Sequence, residues 1–191
     1  QLKEFDPLYC PHGIDTKVFR PIPRDIARAR VKMDPDKFVV GMVAANKGNP
    51  SRKAFSEALE AFKRFRDTDV GKGALLYLHT EAFGKTEGVH LPSLLQALEL
   101  PDDCVRFPDQ YRYQCTGYDD EYMAHLYSAF DVLLNPAFGE GFGIPIIESQ
   151  SCGTPVIVSD FSAMPEVGKI GWHIGGERVW TYQASWQLRP S

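Results

Sequence analysis

A chain of 191 residues, 43% hydrophobic and 24% charged, can close one substantial core and is too apolar to stay disordered. Its formal charge of −4 and pI near 5.7 exclude a general nucleic-acid binder, although a local cluster of cations can still hold a phosphate. No apolar run approaches the ~18 residues of a membrane span, no signal-peptide pattern opens the chain, and four cysteines without close pairs or zinc spacing point to a reduced, cytoplasmic protein.

Residues 1–23 are proline-punctuated and lack a sustained period, so they read as a leading segment or interdomain linker, with a domain over 24–191. A short helix is expected over 26–33, followed by a first core strand in the unbroken apolar run 38–43. Residues 44–52 form the loop at that strand's C-terminal end. Phe55, Ala58, Leu59, Phe62 and Phe65 then share one helical face, with Ser51 as the expected N-cap. A second strand is predicted over 74–79, a helix is marked by Leu91, Leu94, Leu95 and Leu98, and a short third strand covers 104–107. Residues 108–117 are aromatic-rich and without a clear period, and Asp119 is placed as the cap of a helix carrying Tyr122, Leu126, Tyr127 and Phe130.

Next comes the stretch around which the chain is organised, 131–159. Two compact apolar strands, 132–134 and 156–158, flank a glycine-rich loop and a helix over about 143–152. The loop holds Gly139, Gly141 and Gly143, where missing side chains let a ligand approach the backbone, and the helix start leaves amides free for an anion. Glu140 stands before the helix and Glu148 within it, separated by the seven residues GFGIPII. An ionised carboxylate only accepts hydrogen bonds, so its natural small-molecule partner is a vicinal diol. Two such groups beside an anion site suggest a sugar nucleotide. Lys47, Arg52 and Lys53 cluster between the first strand and the next helix, where a diphosphate would need cations. Strands alternating with helices predict an α/β, doubly wound parallel sheet of Rossmann type, with ligands at the C-terminal strand ends. After Gly171 the tail carries Trp172, Trp180 and Trp186, and 179–182 alternates like a strand. Packing is its ordinary explanation, and uncovered aromatics that drive dimers are the other.

The spacing of Glu140 and Glu148 resembles the Glu-x7-Glu signature of retaining glycosyltransferases with the GT-B fold. The resemblance extends to His12-Gly13-Ile14-Asp15 with Phe19 and Pro21, to the phosphate loop around 41–53, to Val105-Arg106-Phe107 and to 127–136, and so covers nearly the whole chain. It implies the C-terminal, donor-binding half of such an enzyme, truncated at its C-terminal end and without the N-terminal acceptor-binding domain, hence inactive alone. The donor would be a UDP-, GDP- or ADP-linked sugar, with no cofactor and no metal. By the same resemblance Lys53, Arg52 and Glu140 are catalytic, with Glu140 on the donor hexose. Glu148 would hold the ribose, Gly141, Phe142, Gly143 and Ile144 the diphosphate, and Arg106 the nucleobase. Asn46 stands where the family places an arginine, which leaves Arg52 or Lys47 as its substitute.

Other functions remain open on these residues. A non-catalytic nucleotide- or sugar-binding module could share the fold. A glycosidase would use the paired glutamates as acid and nucleophile, but a basic loop opposite them is ill suited to that chemistry. A dehydrogenase lacks its GxGxxG after the first strand.

Overall fold

The computed structural model describes residues 8, 10–48, 51–180 and 186–190. The apolar run after Lys37 becomes β1 (Val39–Val43), which pairs in parallel with β2 (Leu75–His79) on one side and β4 (Val132–Asn135) on the other. With β3 (Val105–Arg106), β5 (Val156–Ser159) and β6 (Gly171–Ile174) it forms a six-stranded parallel sheet in the order β3-β2-β1-β4-β5-β6. This is the Rossmann-like doubly wound arrangement that the alternating pattern predicts. Strands buried on both faces explain the lack of alternation in β1 and β2.

Helices cover both faces. On one, α1 (Arg24–Arg30), α5 (Asp120–Ala129), α6 (Ile144–Ser151) and α7 (Met164–Val167) enclose Val39, Leu75, Tyr77, Leu133, Val156 and Val158. On the other, α2 (Phe55–Arg66) and α3 (Leu91–Ala97) bury Val40, Met42, Leu76, Leu78 and Val105. Gly41 in β1 is needed for close packing. A Cβ there would lie 2.1 Å from the Phe130 ring, an overpacking that costs about 1–3 kcal/mol where the ring cannot shift. At the opposite strand ends Asp131 fixes the entry to β4. Its Oδ2 accepts from Arg28 Nη2 at 2.8 Å and from the Val39 N–H at 2.7 Å.

Several elements differ from expectation. Ser51 does not cap α2: the N-cap position is Ala54, in the left-handed region at φ 56°, and the buried Ser51 hydroxyl has no hydrogen-bond partner among the described residues. The first helix lies earlier than predicted because Lys32 takes φ 55° and ends it. The aromatic-rich segment folds as α4 (Gln110–Cys115), capped by the Asp109 carboxylate, which accepts from the Arg112 N–H at 2.7 Å. The tail forms β6 and then an antiparallel hairpin of β7 (Gly176–Trp180) and β8 (Trp186–Pro190). The strand expected over 179–182 is thus β7 up to Trp180, and its last two residues lie outside the described ones. Trp172 is 61% exposed and lines an apolar groove of about 460 Å³ with Phe38, Phe65, Leu134 and Ile157.

Candidate functional site

β1 and β4 are neighbours, yet the chain leaves β1 toward α2 on one face and leaves β4 toward α6 on the other. Their C-terminal ends therefore open a crevice between diverging loops, the position where open α/β sheets bind ligands. The loop after β1 brings Arg52 and Lys53 to this crevice, and the loop after β4 brings Gly139 to Gly143. The two are stitched together by the Phe138 N–H, which donates to the Arg52 carbonyl at 2.9 Å.

Across the crevice the predicted acid and cations meet. Arg52 Nη1 donates to the Gly139 carbonyl and, at 3.1 Å, to Glu140 Oε2, while Lys53 Nζ donates to Glu140 Oε1. The Glu140 side chain is only 8% exposed, against 18% for Lys53 and 42% for Arg52. Its backbone is held as well, since the Glu140 N–H donates to Ser162 Oγ at 2.8 Å. Ser162 reaches that amide from the turn after β5, at φ 56°. A non-glycine residue in the left-handed region stores strain of order 1–3 kcal/mol, which fits a turn whose task is to place one side chain.

The helix start is as open as the glycine pattern suggests, but the glycines differ in purpose. Gly143 takes φ 96°, and a Cβ on it would come within 2.7 Å of Ile146 Cδ1, so the turn into α6 demands glycine. Beyond its own two chain neighbours, no atom of the described residues lies within 4 Å of a Cβ position on Gly141, which leaves space above the loop. Among the described residues, the amides of Gly141, Phe142, Gly143 and Ile144 donate to no protein acceptor. Aimed from the positive end of α6, they favour an anion. Phe142 turns aside and meets the His12 ring edge-on at a centroid distance of 5.1 Å. The opening turn of the chain thereby rests against the loop.

Glu148 lies further along α6, where its Oε2 accepts from the Tyr127 hydroxyl at 2.6 Å. Burial raises its carboxyl above the ordinary carboxylate range, with the Tyr127 hydrogen bond opposing and Asp120 adding to the rise. A carboxyl raised on folding costs stability as pH rises above its unfolded value. Glu148→Gln keeps an acceptor for Tyr127 and removes the charge. Thermal melts should therefore show a higher Tm for this variant, with a gain larger at pH 8 than at pH 5. A gain that shrinks as pH rises would contradict this reading.

The other expected contacts are placed differently. Asn46 is buried, and its amide is fully used inside the loop: Nδ2 donates to the carbonyls of Glu81 and Val89, and Oδ1 accepts the Val89 N–H. It clamps the phosphate loop to the segment after β2 and has no donor left for a ligand. Lys47 is exposed beside Thr86, bridged to it through the backbone. Arg106, expected against a base, lies toward the edge of the sheet. Paired opposite Tyr77 on the edge strand, it is two strands from β1, about 10 Å at ordinary spacing, and its Nη1 donates to the Lys32 carbonyl. There it lines a side cavity of about 630 Å³ with Lys32, Tyr77, Arg112 and Tyr122. Arg52 is thus the second cation beside Lys53. Tyr127 and Ser162, which orient the two glutamates, carried no signal beyond a place on the α5 stripe and in a polar turn.

Residues 37–179 match the family described as Glycosyl transferases group 1. Over 159 residues the chain is 30% identical to the D-inositol 3-phosphate glycosyltransferase of Segniliparus rotundus, covering 81% of this chain and 32% of that protein. Sucrose-phosphate synthase from Thermosynechococcus elongatus superposes with a TM-score of 0.67 at 27% identity, over 86% of this chain and 38% of that one. Anabaena HepE in complex with UDP-glucose superposes at 0.65 and 22% identity, over 84% of this chain and 41% of its own, a likeness that shows the fold alone. The chain spans about a third of the length of the curated relatives it matches.

Proposed function

The chain belongs to the group 1 glycosyl transferases, and from that premise we propose that it is the C-terminal, donor-binding half of a retaining GT-B hexosyltransferase that uses a nucleoside diphosphate sugar. One observation carries this reading: Arg52 and Lys53 meet Glu140 at the switch point of the sheet, beside the open amides at the start of α6.

In this reading the diphosphate rests on Lys53, Arg52 and the amides of residues 141–144, which stabilise the charge that develops as it leaves. Glu148 accepts hydrogen bonds from the ribose diol, oriented by Tyr127, and Glu140 accepts them from the hexose. The leaving diphosphate and the incoming acceptor hydroxyl occupy the same face of the sugar, so the anomeric configuration is retained. The acceptor would be bound by a second domain facing this crevice. The complex of a similarly folded protein with UDP-glucose supports the donor class, with GDP- and ADP-sugars as the alternatives. The four free cysteines fit a reducing cytoplasm.

The test is turnover by the enzyme that contains this chain, offered UDP-glucose, GDP-mannose and ADP-glucose in turn. Release of nucleoside diphosphate from one donor, with a product of unchanged anomeric configuration by NMR, is the expected result. An inverted product would overturn the retaining mechanism, and consumption of no donor would favour a binding module.

A further inference from the structure

The cations expected to receive the diphosphate are already engaged, each by a different oxygen of Glu140. Oε1 takes Lys53 Nζ and Oε2 takes Arg52 Nη1 at 3.1 Å, with the carboxylate buried between them. A nucleoside diphosphate brings two or more negative charges to the same spot. It cannot approach both cations while a carboxylate lies between them, because like charges a few ångströms apart in a partly buried site repel strongly.

Glu140 has somewhere to go. Its backbone stays pinned by the bond from its N–H to Ser162 Oγ, so movement is confined to side-chain torsions. The neighbouring residues on both sides are glycines, and apart from Gly141 and its two chain neighbours no atom of the described residues lies within 4 Å of where a Gly141 Cβ would stand. Rotation into that space brings the carboxylate over the start of α6, beyond the diphosphate position and toward the hexose of a bound donor.

We propose that Glu140 and the donor diphosphate compete for Arg52 and Lys53, so that donor binding displaces the carboxylate and turns it toward the hexose hydroxyls. This rests on the donor-site reading above and adds an ordering to it. The carboxylate holds the two cations in place for a dianion, then becomes a sugar ligand only once that dianion has arrived. The carboxylate that serves the hexose is therefore an obstacle to nucleotide binding.

The consequence runs against the ordinary expectation for a binding residue. Glu140→Gln keeps the size and an acceptor but removes the charge, and it should bind nucleoside diphosphate about tenfold more tightly than the wild type, with transfer by the containing enzyme largely lost. Calorimetric titration of UDP, GDP and ADP into this chain, wild type, Glu140→Gln and Lys53→Ala, reads the effect, with inorganic diphosphate as a probe free of base and sugar. Glu140→Ala, expected to shift affinity in the same direction, guards against an artefact of one variant. Equal or weaker binding by both Glu140 variants, with Lys53→Ala still abolishing it, would overturn the competition and leave the donor site standing. If neither wild type nor Glu140 variants bind any of the probes, the donor-site reading falls and the competition falls with it.

Discussion

Lys53→Ala should lower kcat of the containing enzyme by roughly 10²- to 10³-fold, the usual consequence of removing one donor aimed at developing charge. Lys53 is the more buried of the two cations that meet Glu140: its side chain is 18% exposed, whereas Arg52 is 42% exposed and correspondingly more screened. Its position just ahead of α2 is set by backbone that turns at Ala54, so the ammonium is presented rather than left to wander. Loss of the charge removes a diphosphate contact that strengthens as the bond to the sugar breaks. Lys53→Arg should recover part of the rate, since the cation returns with a different shape. Steady-state kinetics of both variants, with a melt to show that each still folds, tests this. Full activity in Lys53→Ala would assign the diphosphate to Arg52 and the helix amides alone.

The second large effect is on stability in acid. His79 closes β2 and is 7% exposed, enclosed by Tyr77 in a stacked contact and by Tyr113 and Tyr118 edge-on. Its Nδ1 has no hydrogen-bond partner among the described residues. Burial lowers its pKa from 6.5 to about 4. The unfolded chain thus takes up a proton below pH 6.5 that the folded chain refuses until about pH 4. Stability from the neutral ring is fully present above pH 6.5 and is lost as pH falls through that window, by on the order of 3 kcal/mol in all. His79→Phe keeps a ring among the tyrosines and removes the proton site. Urea unfolding at pH 7 and pH 4.5 should show wild type losing more stability than the variant. Glu148 shifts in the opposite sense, which is why the difference between the two proteins, rather than either curve, isolates His79. Parallel losses would show that the ring is not held neutral.

The central unit was legible because its signals are local. The β4 and β5 runs, the glycines before α6 and the pair Glu140 and Glu148 all follow from residue type and spacing within about thirty positions. Arg52 and Lys53 were legible as cations near a strand end, but the meeting of both with Glu140 is a contact across 87 or 88 residues that spacing does not encode. Asn46 shows the reverse case. Its place in the loop suggested a ligand contact, while its amide is consumed by carbonyls more than thirty residues away. The surroundings of Arg106 were not legible, because a two-residue edge strand does not reveal which face its side chain takes until the partner register is known. The short α7 and the exposed β6 have too few apolar residues to display a period. Ser162 and Tyr127 could not be singled out, because each acts through one hydrogen bond to a residue in another element.

The most direct test of the donor site is calorimetric titration of UDP, GDP and ADP into this chain and into Glu148→Ala. Hydrogen bonds to a charged group contribute about 1.5–3 kcal/mol, so removing the carboxylate should weaken binding of the preferred nucleotide by roughly 10- to 100-fold. Binding of one nucleotide that the substitution weakens to this extent is the expected result. Nucleotide binding that Glu148→Ala leaves unchanged would contradict the placement of the ribose on Glu148 and with it the account of how this crevice holds its ligand.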